Sequence, residues 1–174
     1  MKISTIIVSI LLANLLLLIP TTSLAAQFKV TKVYDGDTVR AETPGVVLYI
    51  MLVGIDAPEI SNQADQQEQP FAKKAKEFLS SLVLNRVVEV EGYGTAPYPH
   101  NNILGMIYLG GKNINLEMVR MGYAQVCSGT PPTGLDIGPF LSAEKRAKES
   151  GSGIWGLGDD YISPNQWRNM QSRR

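Results

Sequence analysis

Two short motifs decide the fold of this chain: Asp35-Gly36-Asp37-Thr38-Val39-Arg40 and, after a long apolar stretch, Gly54-Ile55-Asp56-Ala57-Pro58-Glu59. The chain between them turns once, at Thr43-Pro44-Gly45, so the pattern predicts a β-hairpin that returns to its own start. Ideal pairing places Asp37 opposite about Val53, and a bend at Gly54 is expected to bring Asp56 back toward Asp37.

The hairpin therefore gathers acidic side chains at one end. Four of them belong to the two motifs: Asp35, Asp37, Asp56 and Glu59. Clustered carboxylates repel one another unless a positive charge neutralises them. Hard cations such as Ca²⁺ and Mg²⁺ prefer oxygen ligands of this kind, so the sequence predicts a cation site here.

The N-terminal residues are typical of a secretory signal peptide. Lys2 precedes an apolar run over 6–19, and Ser23-Leu24-Ala25 is a suitable cleavage site. The alternative is an uncleaved membrane anchor, although the run is short for a span. We expect cleavage of residues 1–25, no membrane span afterwards, and an exported protein that is periplasmic or secreted. The mature chain suits one domain, and we expect a monomer.

Charge and cysteine content exclude two simple mechanisms. Removal of Lys2 with the signal peptide leaves 15 basic against 16 acidic residues, so no global basic excess draws the protein to nucleic acid. Nucleic-acid binding would need a local patch or a metal. The single cysteine, Cys127, excludes an internal disulfide. We interpret it as a buried small apolar residue rather than a nucleophile, because His100 is the only histidine.

The rest of the chain predicts a small barrel with helices. Short strands come early, at about 27–34, 38–42, 46–53, 86–91 and 103–109, around one helix from Pro70 to Leu84. Asn115 is expected to cap a second helix that Gly122 ends, and a third runs from Pro139 to Glu149. This order, without βαβ alternation, predicts a five-stranded OB-type barrel carrying three packed helices, an α+β fold.

Three smaller features complete the organisation. The Gln-rich segment 60–69 is either a connector or a lid beside the acidic cluster. Trp155 is expected to plug the core. Residues 157–174 are predicted to be a polar tail in which Arg168 and two further arginines are solvated.

The chain resembles the staphylococcal nuclease (thermonuclease) family over about residues 27–156. The motifs that carry the resemblance follow the family's order: Asp35-Gly36-Asp37-Thr38-Val39, Leu52-Val53-Gly54-Ile55-Asp56-Ala57-Pro58-Glu59, Gly111-Lys112-Asn113-Ile114-Asn115, Val119-Arg120-Met121-Gly122-Tyr123-Ala124, Ala143-Glu144, Ala147-Lys148 and Gly153-Ile154-Trp155. The resemblance implies the same OB barrel, spanning 26–156, with a Ca²⁺-dependent phosphodiesterase site.

The resemblance also implies roles for individual residues. Asp37, Asp56 and the backbone carbonyl of Ala57 would hold calcium, with Asp35 as a further metal candidate. Glu59 would be the general base, because a carboxylate beside a cation can orient and deprotonate water. Two arginines of the family bind the phosphate and stabilise its developing charge.

Both arginine positions are altered in this chain. They fall on Met51 and Asn102, and neither residue can serve as a catalytic cation as it stands. The family's nucleotide-stacking aromatics would fall near Ser128 and Thr130. Arg40 is expected on the strand face opposite Asp37. The replacement charges open to consideration are Lys73, Lys74, Arg86, His100 and Arg120.

Three hypotheses follow. The first is an exported thermonuclease-like hydrolase of DNA or RNA with weakened or altered activity. The second is a catalytically inactive OB-fold module that binds a partner and keeps the metal-site carboxylates. The third, prompted only by export, is phosphodiester or sugar-phosphate chemistry on envelope polymers.

Overall fold

The computed structural model describes residues 26–61, 67–96 and 102–172. The predicted signal peptide, part of the Gln-rich segment and His100 lie outside these ranges. The strands are β1 Ala26–Val33, β2 Thr38–Thr43, β3 Val46–Leu52, β4 Ile55–Asp56, β5 Val87–Thr95, β6 Ile103–Leu109, β7 Lys112–Asn113 and β8 Gln125–Val126. The helices are α1 Ala72–Val83, α2 Ile114–Arg120, α3 Gly138–Glu149 and α4 Pro164–Gln171, with a 3₁₀ segment at Gly153–Asp160.

Five strands close into a barrel, as the sequence predicts. β1 pairs with β2 on one side and β5 on the other, and both pairings are antiparallel. β2 continues to β3, and β5 to β6. A parallel pairing of β3 with β6 closes the ring, with Ile50 opposite Ile103. The period-2 alternation of apolar residues places Val30, Val39 and Ile50, all fully buried, in the interior.

The first hairpin forms, with its register one residue away from the expected one. Thr38 pairs with Met51, and the Leu52 N–H donates to the Asp37 carbonyl at 2.7 Å. Asp37 therefore lies opposite Leu52 rather than Val53. The two-residue loop Pro44-Gly45 fixes this register, because the loop length of a hairpin determines which residues pair.

A turn at Gly54 then takes the chain out of the barrel. Gly54 has φ +83°, a left-handed conformation that glycine adopts without steric cost. The next two residues, in β4, pair with β8 as a separate small sheet, with Asp56 opposite Gln125. This second sheet, and not the barrel, carries Asp56.

Helix α2 is tied to the barrel by a buried asparagine. We predicted Asn115 as the cap of this helix, and that prediction was wrong. The Asn113 side chain accepts from the Leu116 N–H at 2.9 Å and caps it. Asn115 is fully buried two residues further on, where its amide satisfies backbone groups of the barrel. Burial of an amide without such partners would destabilise the folded protein. The capping rule considers only the end of a helix, so it does not detect this role.

Three further expectations need correction. Trp155 is only partly buried, and its neighbour Ile154 is the fully buried core residue. Cys127 is exposed, because it follows the short strand β8 at the edge of a two-stranded sheet. The segment after 156, predicted as a polar tail, continues through the 3₁₀ segment into α4. None of the helices in the described ranges has the length and apolar character needed to cross a membrane.

Candidate active site

The Asp35–Asp37 turn holds the first two carboxylates. The Asp37 N–H donates to Asp35 Oδ1 at 3.0 Å, which closes a local side-chain turn. Gly36 between them leaves no space for a side chain. A Cβ there would lie 2.7 Å from the Cβ atoms of both Ala57 and Ala75. The acidic turn therefore packs directly against the second motif and against α1.

One hydrogen bond joins the two acidic motifs. Asp37 Oδ2 accepts from the Ala57 N–H at 2.8 Å, while Oδ1 accepts from the Thr38 hydroxyl at 3.0 Å. The backbone of Ala57 is thereby placed against the Asp37 carboxylate. The hairpin and the small sheet together bring Asp37 and Asp56 to one place, as the sequence predicts.

Asp56 is held by a polar relay from the C-terminal region. Its side chain is largely buried, at 9% exposure, and Oδ2 accepts from Gln125 Nε2 at 3.3 Å. The Tyr161 hydroxyl donates to Gln125 Oε1 at 2.5 Å and so fixes the orientation of that amide. Burial, with Asp56 and Glu144 adding to it, raises the pKa of the Tyr161 hydroxyl, so the relay stays neutral.

Glu59 is positioned by a buried glutamine. The Glu59 N–H donates to Gln69 Oε1 at 3.0 Å, and the Gln69 N–H donates back to the Glu59 carbonyl at 3.1 Å. Gln69 Nε2 also donates to the carbonyl of Ile162 at 2.7 Å. The same side chain therefore connects the Glu59 segment with the residues that lead into α4.

Arg168 on α4 completes the cluster. Its Nη1 donates to Asp56 Oδ1 at 2.9 Å and also to Glu59 Oε1, and its Nη2 lies 3.3 Å from Asp56 Oδ2. The side chain remains 47% exposed, so one side of the guanidinium faces solvent. We predicted Arg168 to be solvated within a tail, and that was wrong. A helix cap at Ser163 orders the segment and directs Arg168 to the carboxylates.

The electrostatics of the cluster follow from burial and like charge. Burial, together with Asp35 and Asp56, raises the pKa of Asp37 well above its usual range. Burial raises the pKa of Glu59 as well, although its bond to Arg168 opposes the shift. Burial alone would lower the pKa of Arg168, but its hydrogen bonds to Asp56 and Glu59 outweigh that effect and raise it. Within the part of the chain that the structure describes, the site therefore combines several acidic groups with one permanent cation, Arg168.

The sequence of this chain matches a family of known proteins. The sequence model described as "Staphylococcal nuclease homologue" matches residues 49–156, which is more than half of the chain. This chain belongs to the staphylococcal nuclease family. The matched range contains Asp56 and Glu59 and ends before Arg168.

Several known proteins are similar to this chain in sequence. An "Uncharacterized endonuclease" of Haemophilus influenzae is 34% identical over 167 residues, covering 93% of this chain and 86% of that protein. A "Probable endonuclease LCL3" of Meyerozyma guilliermondii is 29% identical and covers 83% of this chain and 75% of its own length. "Endonuclease YhcR" of Bacillus subtilis is 32% identical, and the match takes up 12% of that much longer protein.

The two altered arginine positions of this family member carry no cation in the structure. Met51 lies on β3, opposite Thr38 and Leu104, and is partly buried. Asn102 uses its carbonyl to accept from the Ala96 N–H at 2.7 Å.

Three of the basic side chains considered as replacements have contacts elsewhere. Lys73 pairs with Glu68, Lys74 lies over the Phe71 ring, and Arg120 pairs with Glu117. Arg40 binds Thr31 and Glu42, as expected for the strand face that points away from Asp37.

The donor set of the cluster fits a hard cation by its chemistry. Asp37 and Asp56 offer carboxylate oxygens, the ligand type that hard cations prefer, and the Ala57 N–H contacts the Asp37 carboxylate. No group of three or more His, Cys, Asp or Glu side chains within the described ranges is arranged to hold a metal ion. A cation here would therefore depend on the two carboxylates together with the Ala57 carbonyl that the family resemblance implies.

Sequence reasoning missed four residues of the site: Gln69, Gln125, Tyr161 and Arg168. One signal was available. Ser163-Pro164-Asn165-Gln166 is a capping box with proline at the first helical position, and the structure shows both of its reciprocal hydrogen bonds. It predicts a helix over the residues that carry Arg168. No local pattern indicates where that helix docks.

Proposed function

We propose that this protein is an exported, Ca²⁺-dependent phosphodiesterase that cleaves DNA or RNA with weakened activity. The observation that carries the proposal is the 2.8 Å hydrogen bond between the Ala57 N–H and Asp37 Oδ2, which joins the two acidic motifs into one cluster. Membership of the staphylococcal nuclease family and the endonuclease names of the relatives support a nuclease reaction.

Each residue of the cluster has its own role in the proposed hydrolysis. Asp37, Asp56 and the Ala57 carbonyl would hold Ca²⁺, which when bound supplies positive charge beside the phosphate. Glu59 accepts a proton from the attacking water. The water oxygen bonds to phosphorus, the P–O ester bond breaks, and the leaving oxygen takes a proton from solvent. The solvent-facing third of the Glu59 side chain gives the water access.

Weakened activity follows from the two altered positions. A preorganised donor to developing charge typically contributes about 10²–10³ in rate, and such contributions are not additive. Met51 and Asn102 provide no such donor. Since the charged residues nearly balance, the substrate is recognised by this local cluster rather than by a global field.

Hydrolysis of single-stranded DNA and RNA tests the proposal, with Ca²⁺ or with a chelator in excess. The mature chain is compared with Glu59→Gln and with Glu77→Gln, an exposed glutamate on α1 that serves as the matched control. We expect Ca²⁺-dependent cleavage that Glu59→Gln abolishes and Glu77→Gln leaves unchanged. Cleavage that survives in the chelator, or in Glu59→Gln at the wild-type rate, contradicts the assignment.

A noncatalytic OB-fold binding module is the second candidate. The observation that favours it is that Arg168 already occupies carboxylate oxygens of both Asp56 and Glu59. This module would bind Ca²⁺ or single-stranded DNA without cleaving it. An inert wild type that gains cleavage in the double variant Met51→Arg, Asn102→Arg would identify a nuclease site that has lost its phosphate ligands.

A further inference from the structure

We propose that Arg168 is the phosphate-binding residue of this site and takes over the task that Met51 and Asn102 cannot perform. The proposal rests on the proposed function and adds a residue outside the range that the family model matches, 49–156. It assigns α4 a direct role in substrate recognition. Four observations support it: the free edge of the guanidinium, its exposure, the attachment of α4, and the contacts of the other cations.

The first observation is the way Arg168 divides its hydrogen-bond donors. A guanidinium has five N–H donors, arranged as an end-on fork of Nη1 and Nη2 and a side-on fork of Nε and Nη2. The end-on fork faces both oxygens of Asp56, and the second hydrogen of Nη1 serves Glu59. Nε and the second hydrogen of Nη2 have no hydrogen-bond partner among the described residues. The side-on fork is thus free to donate two parallel bonds to phosphate oxygens.

The second observation is the exposure of this side chain. Arg168 is 47% exposed, whereas the side chain of its partner Asp56 is 9% exposed. The carboxylate therefore holds the guanidinium from the protein side and leaves its other edge accessible. A phosphate bound there would lie next to Glu59, the predicted base, because Nη1 touches both carboxylates.

The third observation is that α4 is attached before any substrate arrives. The Ile162 carbonyl accepts from Gln69, and the Tyr161 hydroxyl binds Gln125, which in turn binds Asp56. The capping box at Ser163 fixes the first turn of the helix. An arginine oriented in advance loses little further rotamer freedom on binding, so its hydrogen bonds to phosphate contribute more to affinity and rate.

The fourth observation comes from the remaining basic side chains of the described region. Three of those considered as replacements from the sequence have partners elsewhere: Lys73 on Glu68, Lys74 over the Phe71 ring and Arg120 on Glu117. Arg168 is the one that contacts both Asp56 and Glu59 among the described residues.

The test compares Arg168→Gln, Arg168→Lys and the control Arg146→Gln, an exposed arginine on α3. The first readout is the binding of a fluorescein-labelled hexathymidylate with neutral methylphosphonate linkages, with or without a single 5′-phosphate, in Ca²⁺. Wild type and Arg146→Gln should prefer the phosphorylated probe by roughly 10- to 100-fold. Arg168→Gln should lose this preference. Arg168→Lys should keep only a small part of it, because an ammonium cannot donate as a planar fork.

The second readout is Ca²⁺ affinity by calorimetry, which separates a ligand for phosphate from a residue that merely maintains the site. Arg168→Gln should bind Ca²⁺ at least as tightly as wild type, since a competing positive charge has been removed. The third is DNA cleavage, in which kcat should fall by about 10²–10³ in Arg168→Gln, with a smaller change in KM.

Three results would overturn the inference. One is a wild type with no preference for the phosphorylated probe, and another is a preference that survives in Arg168→Gln. The third is a joint loss of Ca²⁺ and phosphate binding in Arg168→Gln, which assigns the residue a structural role. If wild type binds the probe through Arg168 and cleaves nothing, the proposed hydrolysis fails and the phosphate site stands.

Discussion

Arg168 and Glu59 form a hydrogen-bonded ion pair although 109 residues of sequence separate them. The same guanidinium contacts Asp56, so the last helix closes over an acidic cluster that the first hairpin and a two-stranded sheet assemble. The carboxylates and their counter-charge thus come from opposite ends of the chain. The conformation of the site depends on the attachment of α4 as well as on the barrel.

Substitution of Gln69 should release both the Glu59 segment and α4. Gln69 is 4% exposed and bonds the Glu59 N–H and the Ile162 carbonyl with one side chain. Gln69→Leu leaves these backbone groups without their partners. Each group that stays buried then destabilises the folded state by about 1–3 kcal/mol. We expect a loss of about 2–4 kcal/mol in the free energy of unfolding, measured in urea, and a fall in cleavage rate.

The matched control is Gln67→Leu, because Gln67 is exposed in the same segment. It should change the free energy of unfolding by less than about 0.5 kcal/mol. Equal behaviour of the two variants would show that Gln69 does not connect the segments.

Enlargement of Gly36 should disturb the cluster by steric contact alone. A Cβ at this position would lie 2.7 Å from two neighbouring Cβ atoms, those of Ala57 and Ala75, so one of these elements must shift. Overpacking of this kind costs about 1–3 kcal/mol. Because Ala57 donates to Asp37, its displacement should also weaken Ca²⁺ binding in Gly36→Ala, measured by calorimetry.

Gly92→Ala provides the comparison for this substitution. Nothing lies within 4 Å of a Cβ built on Gly92, and its backbone is not left-handed. Stability and Ca²⁺ affinity should both stay at the wild-type level. Unchanged Ca²⁺ affinity in a well-folded Gly36→Ala would separate the acidic turn from the cation site.

The barrel was predictable because its signals are local. Alternation of apolar residues, the Pro44-Gly45 turn and Gly54 specify the strands and the bend between them. The error of one residue in the hairpin register has a physical origin: pairing depends on loop geometry that composition does not determine. The role of Asn115 was missed for a similar reason, since burial against distant backbone groups leaves no mark in the local pattern.

The site was predictable only where its residues lie in motifs. Asp37, Asp56 and Glu59 stand in recognisable segments, and the structure brings the two acidic motifs together. Arg168 stands among ordinary polar residues, and its position depends on docking through Gln69 and Gln125. A local reading treats such an arginine as solvated, because most surface arginines are.

Asn115 should be among the most sensitive polar residues of the core. It is fully buried, donates to the carbonyls of Val53 and Gly105, and accepts from the Ile107 N–H. Asn115→Leu removes these bonds at the junction of α2 and the barrel, and of the three backbone groups the Gly105 carbonyl keeps a second donor, the Val53 N–H. We expect a loss of about 3–5 kcal/mol in the free energy of unfolding in urea.

Substitution of the helix cap Asn113 provides a comparison for the size of this loss. Asn113→Ala removes one bond at a helix end that water can reach, so it should cost about 1 kcal/mol. If Asn115→Leu proved as mild as Asn113→Ala, the buried amide would not be what joins α2 to the barrel.

Low pH should remove the contribution of the Glu117 carboxylate to the free energy of unfolding. This carboxylate accepts from Arg120 at 2.6 and 2.7 Å and pairs with Lys112 at 3.0 Å. The bonds to Arg120, the largest cause, together with Lys112 outweigh the effect of burial and lower its pKa from the ordinary 4.5 to about 2. Because the folded pKa lies below the unfolded one, the contribution is complete above about pH 4.5 and disappears as pH falls through about 2.

Glu117→Gln should therefore destabilise the protein at pH 7 and much less at pH 2.5. The two cations are half exposed, so solvent screening reduces the expected difference to about 2 kcal/mol. Urea unfolding at both pH values measures it. Glu149→Gln, at an exposed pair with Lys145, should show almost no such dependence. A penalty for Glu117→Gln that is the same at pH 7 and pH 2.5 would mean that packing, not charge, retains this carboxylate.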